Sequence, residues 1–360
     1  MRNSCLLWAD REDSQRKVFQ MIIILKNDPD PWQLEDLTGG LRDLGLTVCP
    51  TVGVGQTILG LVGDTSRVDA DLIAALDIVE DVKRVQEPFK NVNRKFHPEN
   101  TVVSVGQAVF GDGSLTLIAG PCAVENEEQI LSAAYAVKNA GAQILRAGAF
   151  RSRTSPYSFQ GLKVEGMRLL LKAGEATGLP VMTEILDASQ LPLFKDVDLI
   201  EVGSGNVRNY HLLTALGRIK KPVLLRRGPA MTYEEWLMSA EYILAGGNGR
   251  VILCESGIRT FENYTKNTFD ITSIPVLKAL THLPVAADPC QASGKYSLVP
   301  HLASAACAAG ADGLIMEVHP DPQHALCEGE RQLEFDKFSA LAGKLYALHE
   351  TLREGELEDE

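Results

Sequence analysis

Hydrophobic and polar positions divide the chain into two regions with different periodicities. Between residues 21 and 90, short apolar runs and amphipathic stretches follow one another in the order β-α-β-β-α-β. Pro31 near the start of the first predicted helix and Gly45 just past its end are typical boundary residues. This order predicts a ferredoxin-like split α/β motif. The predicted strands are Met21–Lys26, Leu46–Thr51, Gln56–Val62 and Val79–Val85, and the predicted helices are 31–44 and 68–76.

From residue 115 onward, short apolar runs alternate with helical stretches at near-regular spacing. This alternation predicts a parallel sheet, and eight units in roughly 230 residues predict a closed (β/α)₈ barrel over residues 115–350. An open doubly wound sheet is the alternative, but no G-x-G-x-x-G motif follows a strand. The predicted fold class is therefore α/β, a TIM barrel preceded by a small ferredoxin-like domain. The eight runs are 115–119, 143–147, 180–184, 199–202, 222–225, 250–254, 284–287 and 313–317.

The remaining segments are assigned by their composition. Residues 1–20 are mostly polar and charged, and we interpret them as disordered or as a misassigned start, with Met21 as the first residue of regular structure. The 21–90 domain lacks a cluster of catalytic residue types and is interpreted as a regulatory or assembly domain. Residues 91–114 are predicted to be a linker, with a short hairpin around Gly111-Asp112-Gly113.

Charge and cysteine content narrow the class of protein. A net charge of −12 argues against nucleic-acid binding, which needs a basic face, but leaves room for a local basic pocket. The seven cysteines are irregularly spaced and imply no disulfide framework. The sequence contains no run of 18 apolar residues, so it predicts no membrane span. We therefore expect a cytoplasmic protein with no nucleic-acid or membrane partner. The interpretation of the 21–90 domain as an assembly domain adds the expectation of a homo-oligomer.

Arginines are concentrated at the predicted carboxyl ends of the barrel strands, where the chemistry of such barrels lies. The planar arginine fork binds phosphate and carboxylate groups bidentately. The cluster predicts small anionic substrates, although any single arginine can equally form an ordinary surface ion pair. Its members are Arg146, Arg151, Arg153, Arg226, Arg227 and Arg259, with Arg208 as a further candidate.

Possible metal donors occur at the same strand ends. Mixed thiolate, carboxylate and imidazole donors suit a transition metal, although no short spacing in the sequence enforces such a site. No lysine falls at a strand end, which argues against a Schiff-base aldolase. The candidate donors are Cys122, Asp288, Cys290, Gln291, Glu317, His319 and Glu328.

An ordered set of motifs resembles the 3-deoxy-7-phosphoheptulonate (DAHP) synthases over residues 21–345. The resemblance is to the subfamily that carries a ferredoxin-like domain before the barrel. The motifs are Gly120-Pro-Cys-Ala-Val-Glu125, Arg146-Ala-Gly-Ala-Phe150, Arg153-Thr-Ser-Pro-Tyr-Ser-Phe-Gln-Gly161, Leu225-Arg-Arg-Gly228, Leu253-Cys-Glu-Ser-Gly-Ile-Arg-Thr-Phe261, Asp288-Pro289 and Met316-Glu-Val-His-Pro320.

The resemblance implies a reaction and a metal. The family condenses phosphoenolpyruvate with erythrose 4-phosphate using a divalent metal, and a related branch uses arabinose 5-phosphate. The implied metal ligands are Cys122, Gln291, Glu317 and Glu328. Gln291 stands where the family has histidine, and Glu328 stands where it has aspartate.

The resemblance also implies roles in binding and catalysis. Arg146 is expected to hold the carboxylate of phosphoenolpyruvate, and Arg153 with Thr154 the aldose phosphate. The implied catalytic residues are Arg146, Arg151, Arg226 and Asp288, and the implied substrate-binding residues are Arg146, Arg153, Thr154, Arg226 and Arg227.

Four positions of the phosphoenolpyruvate site differ from the family pattern. Arg151 and Arg226 replace lysines, whereas Gly205 and Ser256 stand where arginines are expected. We therefore expect weak binding of phosphoenolpyruvate. Two alternatives remain open: a divergent barrel aldolase acting on another anionic sugar or keto acid, and a non-catalytic binding or regulatory subunit.

Overall fold

The chain divides after Lys90 into two units in a computed structural model. The structure describes residues 21–52, 57–63, 65, 68–84, 89–153 and 155–358. The segment 1–20, interpreted above as disordered or misassigned, lies outside the described residues.

The described part of the N-terminal unit is an antiparallel sheet of four strands with two helices. The strands lie in the order β2 (Thr47–Val52), β3 (Thr57–Val62), β1 (Met21–Leu25) and β4 (Val79–Arg84), and every neighbouring pair is antiparallel. The side chains of Asp30 and Asp69 accept hydrogen bonds from backbone N–H groups in the first turns of the two helices, which fixes where the helices begin. The predicted ferredoxin-like fold is confirmed. The elements are β1 (Met21–Leu25), α1 (Pro31–Asp43), β2 (Thr47–Val52), β3 (Thr57–Val62), α2 (Ala70–Ala74) and β4 (Val79–Arg84).

Eight parallel strands close into a barrel between residues 116 and 317, a stretch in which Thr154 alone falls outside the description. The last strand pairs with the first, from Gly313 opposite Thr116 to Glu317 opposite Gly120. The predicted barrel is confirmed. Its strands are β7 (Thr116–Gly120), β8 (Ile144–Arg146), β9 (Val181–Ile185), β10 (Leu199–Val202), β11 (Val223–Arg226), β12 (Val251–Glu255), β13 (Val285–Ala287) and β14 (Gly313–Glu317).

Helices follow the strands along the outside of the barrel, as the alternating pattern predicts. They are α3 (Glu127–Asn139), α4 (Val164–Thr177), α5 (Tyr210–Gly217), α6 (Tyr233–Ala245), α7 (Ser273–Leu280), α8 (Pro289–Ser293), α9 (Val299–Ala308) and α10 (Phe335–Glu358). None of the helices in the described part of the chain has the length and apolar character needed to cross a membrane.

The segment 91–114, expected as a linker, belongs structurally to the barrel unit. It contains a hairpin of β5 (Val103–Val105) and β6 (Ala108–Phe110), which turns before the glycine-rich position predicted from sequence. Alternate hairpin residues, among them Val103 and Phe110, are buried in one cluster with side chains from the barrel strands. Alternation of apolar residues makes one face of a hairpin buriable, so this segment contributes to the core.

Candidate active site

A layer in which six of eight residues are charged lies above an apolar layer inside the barrel. Side chains at i and i+2 of a strand face the same side, and each of eight interior core residues is followed two positions later by a residue of the upper layer. The upper layer is thereby positioned by the strands themselves, at their carboxyl ends. The pairs, with the core residue first, are Ile118 and Gly120, Ile144 and Arg146, Met182 and Glu184, Leu199 and Glu201, Leu224 and Arg226, Cys254 and Ser256, Ala286 and Asp288, and Ile315 and Glu317.

Arg146 connects carboxylates on two other strands across the barrel interior. Its Nε and Nη2 each donate to Glu201 at 3.0 Å, and its Nη1 donates to Glu317 at 3.0 Å. All three side chains are buried. Gly120 makes room for this arrangement, because a Cβ at this residue (φ +150°) would lie 2.2 Å from the backbone oxygen of Arg146.

Arg226 lies on the opposite side of Glu201. Its Nε donates to Glu201 at 2.5 Å, and its Nη1 donates to Asp288 at 2.7 Å and to Ser256 at 3.1 Å. Its Nη2 is buried and has no hydrogen-bond partner within the described residues. This guanidinium therefore retains a donor in the interior of the barrel mouth.

The other predicted arginines fall into two groups. Arg151 lies 3.6 Å from Glu184 with its Nε unpartnered in the described part of the chain, and Arg153 donates to Glu328 at 2.8 Å. Arg227 pairs with Glu255 and Asp270 and lies against the ring of Tyr233. Two further arginines are exposed: Arg208 pairs with Glu235, and Arg259 lies on the surface. Thr154 lies outside the described residues.

The neighbouring charges set the ionisation of the carboxylates. Burial alone would raise the pKa of Glu201, but the adjacent Arg146 and Arg226 hold it well below its usual range. Burial raises the pKa of Glu184, only partly offset by Arg151. The two carboxyl groups of adjacent strands thus differ in proton affinity, a property common at acid–base sites.

The four predicted metal ligands surround the guanidinium of Arg331. This side chain donates to both oxygens of Glu317, at 2.5 Å from Nε and 2.8 Å from Nη2, and to Oε1 of Gln291 at 2.5 Å. Its Nη2 also lies 3.6 Å from Cys122 Sγ, and its Nη1 lies 3.3 Å from Glu328. These five contacts match the five N–H donors of a guanidinium.

This arrangement does not fit a divalent metal. A cation already lies among the four side chains, and Arg331 has only 1% of its surface exposed. No group of three or more His, Cys, Asp and Glu side chains among the described residues has the geometry to hold a metal ion. The expected metal ligands Cys122, Gln291, Glu317 and Glu328 thus all contact one arginine side chain in this structure.

Cys327 is a second unpredicted neighbour of Cys122. Their Sγ atoms lie 2.9 Å apart, and both cysteines are buried and free. The hydrogen bond with Cys122 lowers the pKa of Cys327 to about 6. Arg153 Nη1 lies 3.4 Å from the Cys327 sulfur, so this thiol is close to the cation predicted to hold the aldose phosphate.

Sequence reasoning missed Glu184, Glu201 and Arg331 as members of the site. The two glutamates carried a usable signal, since each follows a buried strand residue by two positions. The sequence signal for Arg331 was weaker: it is a cation three residues after Glu328, in the loop that follows β14. Neither spacing by itself indicated which partners these side chains would contact.

Both units of the chain match models of known protein families. The DAHP synthetase I family model matches residues 95–354, and the DAHP synthase ferredoxin-like domain matches residues 21–87. The chain is 42% identical to the phospho-2-dehydro-3-deoxyheptonate aldolase of Thermotoga maritima, over 92% of this chain and 98% of that protein. It is 32% identical to the 2-dehydro-3-deoxyphosphooctonate aldolase of Geobacter sulfurreducens, over 68% of this chain and 97% of the relative.

Solved structures agree with these sequence matches. The crystal structure of the Thermotoga maritima DAHP synthase superimposes with a TM-score of 0.74 at 41% identity, covering 93% of this chain and 98% of that one. A truncated form of the Thermotoga maritima 3-deoxy-D-arabino-heptulosonate 7-phosphate synthase covers 72% of this chain and 96% of its own, with a TM-score of 0.68.

Proposed function

Since the chain belongs to the DAHP synthetase I family, a family of C–C bond-forming enzymes, we propose that it condenses phosphoenolpyruvate with erythrose 4-phosphate. The products are 3-deoxy-7-phosphoheptulonate and inorganic phosphate. This reaction commits carbon to the aromatic amino acid pathway. Both substrates are small phosphorylated anions, which agrees with an arginine-rich barrel mouth.

Two buried arginine donors support the proposal at the level of individual residues. Arg226 Nη2 and Arg151 Nε are buried donors without a hydrogen-bond partner in the described part of the chain. A buried donor without a partner costs free energy that an anionic ligand can recover. Charge-assisted hydrogen bonds to phosphate or carboxylate are the contacts that best satisfy a guanidinium. These two donors therefore support an anion site in the barrel mouth.

The proposed binding roles follow from position. Arg146, Arg151 and Arg226 would hold phosphoenolpyruvate, Arg153 and Thr154 would hold the aldose phosphate, and Arg227 would complete the substrate-binding set. Arg146 and Arg226 share Glu201, so their guanidinium planes are fixed before substrate arrives. Such preorganisation lowers the cost of orienting the reacting carbon atoms.

The bond changes need a water molecule and a route for its proton. Water adds to C2 of phosphoenolpyruvate while C3 bonds to the aldehyde carbon, and the proton that this water loses is passed to the aldehyde oxygen. The C2–O bond to phosphate then breaks, the remaining hydroxyl proton leaves with the phosphate, and C2 becomes a ketone. We assign the proton-accepting role to Glu184, because burial raises its pKa and makes it a stronger base than an exposed carboxylate. Asp288 accepts a hydrogen bond from Arg226 Nη1 at 2.7 Å and thereby orients this guanidinium. No step is assigned to a metal, because the residues present do not fit one.

The test is a coupled measurement of substrate loss and product mass. The full chain is incubated with phosphoenolpyruvate and erythrose 4-phosphate, loss of enol absorbance is followed, and the product is identified by mass spectrometry. We expect turnover, and a decrease in kcat/KM of about 100-fold or more in Arg226→Gln. Arg208→Gln is the matched control, because that arginine lies in an exposed pair with Glu235.

Parallel reactions separate the alternatives. Turnover with arabinose 5-phosphate alone would assign the chain to the reaction of the related branch. Absence of turnover with both aldoses, in protein that is folded by circular dichroism, would contradict the proposal and favour a binding or regulatory subunit.

The N-terminal ferredoxin-like unit is proposed to serve regulation or assembly of a cytoplasmic homo-oligomer. Support comes from its match to the DAHP synthase ferredoxin-like domain. Sedimentation of the full chain tests the assembly role, and a monomer at micromolar concentration would contradict it.

A further inference from the structure

We infer that Arg331 is a built-in cation that takes the place of a divalent metal in this barrel, so that the protein neither needs nor binds one there. The inference concerns the site of the proposed reaction, but it stands on geometry that does not depend on whether that reaction occurs. Its experimental test therefore measures bound metal first and activity second.

The contacts of Arg331 reproduce what a metal ion would do structurally. A ligated metal draws anionic and polar side chains from several loops to one point. Arg331 does the same for Glu317 at the end of β14, for Gln291 in α8, for Cys122 after β7, and for Glu328 in its own loop. One guanidinium thus connects three separate strand ends.

Glu317 meets its cationic partner inside the protein. Its two carboxylate oxygens each accept a hydrogen bond from Arg331, one from Nε and one from Nη2.

The ligand chemistry is consistent with this exchange. The amide oxygen of Gln291 accepts a hydrogen bond from Arg331 Nη1 at 2.5 Å. A guanidinium has only N–H donors, so it needs such an acceptor. A glutamine oxygen is a weak neutral ligand for a transition metal, whereas an imidazole nitrogen is a strong one. Gln291 thus suits a guanidinium better than a metal ion.

Displacement of the arginine by a metal is disfavoured by burial. Arg331 and Glu317 are each about 1% exposed, and they pair through two hydrogen bonds. A metal would have to expel a paired, desolvated guanidinium, and separating a buried pair leaves an uncompensated charge. The site is consequently closed to divalent cations while Arg331 is present.

The experiment compares metal binding by the full chain and by variants that open the site. Purified protein is dialysed against Zn²⁺ or Cd²⁺, and bound metal is counted by mass spectrometry, with Cd²⁺ affinity measured by calorimetry. We expect substoichiometric metal in the unaltered chain and no change in its melting temperature with chelator. In Arg331→Ala with Gln291→His, we expect one bound Cd²⁺ and an affinity increased by about 100-fold or more.

Two controls define the site. Arg227→Ala removes another buried arginine of the barrel mouth, paired with Glu255 and Asp270, and should gain no metal. Adding Cys122→Ser to the Arg331→Ala and Gln291→His variant should abolish Cd²⁺ binding and the cadmium–thiolate absorbance.

The outcomes are separable from those of the proposed function. Stoichiometric metal in the unaltered chain, lost in Cys122→Ser, would overturn the inference whether or not the chain is active. If the Arg331 variants fail to fold, metal content and chelator response of the unaltered chain decide the question. Turnover that persists in chelator supports the inference, whereas absence of turnover in every condition bears only on the proposed reaction.

Discussion

Arg331 Nη2 lies 2.8 Å from Glu317 Oε1, which joins the loop after β14 to the last residue of that strand. Burial would raise the pKa of Glu317, but Arg331 and Arg146 lower it to about 2. The carboxylate is therefore charged throughout the neutral range, and its charge is compensated entirely inside the protein.

Replacement of Arg331 by methionine should destabilise the fold strongly. Methionine fills a similar volume but leaves the Glu317 carboxylate with Arg146 as its remaining cationic partner. Breaking a buried pair from one side costs about 3–5 kcal/mol, and urea unfolding of the metal-free protein measures this cost. Arg208→Met, in an exposed pair, should cost less than about 1 kcal/mol. Equal losses in the two variants would contradict this assignment.

A pair of glycine substitutions tests the role of Glu184. A Cβ on Gly203 would lie 2.0 Å from Glu184 Oε1, so Gly203→Ala must push this carboxylate away from its position. We expect kcat to decrease by about 10-fold or more, since small displacements of a reacting group are costly. The melting temperature should change little, because the displaced atoms are the end of a flexible side chain.

Gly205→Ala is the matched control for that experiment. A Cβ on Gly205 meets no atom within 4 Å, and the residue lies two positions further along the same turn. Activity should be retained. If both alanine variants behave alike, the proton-accepting role of Glu184 loses its support.

The Ser256 position shows why one departure from the family pattern depends on another. Ser256 Oγ accepts a hydrogen bond from Arg226 Nη1 at 3.1 Å, and both residues are buried. Ser256→Arg alone would place a second guanidinium against Arg226, which should cost about 3 kcal/mol or more. Adding Arg226→Lys should recover about 1–3 kcal/mol of that loss as a coupling energy in a double-mutant cycle. Additive costs would show that the two side chains do not compete.

The affinity for phosphoenolpyruvate should depend on the four positions at which this chain differs from the family pattern. The quadruple variant Arg151→Lys, Gly205→Arg, Arg226→Lys and Ser256→Arg restores the residue types that the family resemblance implies. We expect it to bind phosphoenolpyruvate more tightly than the unaltered chain by about 10-fold or more, because two charged hydrogen bonds are added. Calorimetric titration of both proteins measures the difference, and equal affinities would show that other arginines already hold the phosphate.

The pH dependence of stability should carry a contribution from His282. Its Nδ1 lies 2.6 Å from Thr101 Oγ1 and its Nε2 lies 2.8 Å from the backbone oxygen of Asn91. Burial lowers the pKa of His282 to about 4, against about 6.5 in an unfolded chain. Between these values the unfolded state binds more protons, so the free energy of unfolding decreases as pH falls.

The free energy of unfolding should decrease by up to about 2 kcal/mol between pH 7 and pH 5 because of His282. Urea unfolding at both pH values measures this change. His97, Arg94 and Glu241 also act on this imidazole. His282→Gln removes the titration but keeps a donor and an acceptor, so its stability should depend less on pH over the same interval. An unchanged slope would mean that His282 is not the titrating group.

Strand periodicity allowed much of the fold and part of the site to be predicted. An apolar residue at i and a charged residue at i+2 share one face of a strand, so Ile144 and Arg146, or Ile315 and Glu317, are ordered by local geometry alone. The same rule would have identified Glu184 and Glu201 had it been applied to every strand. The residue types at the carboxyl ends therefore predicted an anionic substrate site on a barrel.

The partners of those residues were decided by the tertiary structure. Arg331 and Cys122 are 209 positions apart, and only closure of β14 against β7 brings their loops together. Donor types at strand ends suggested a metal because a sequence does not show which cation enters the space between them. The 91–114 segment was mistaken for a linker for the same reason, since a short hairpin becomes part of a core only where the end of a barrel exists to receive it. Local alternation thus determined which side chains face the interior, while long-range closure decided that an arginine lies at the point where a metal was expected.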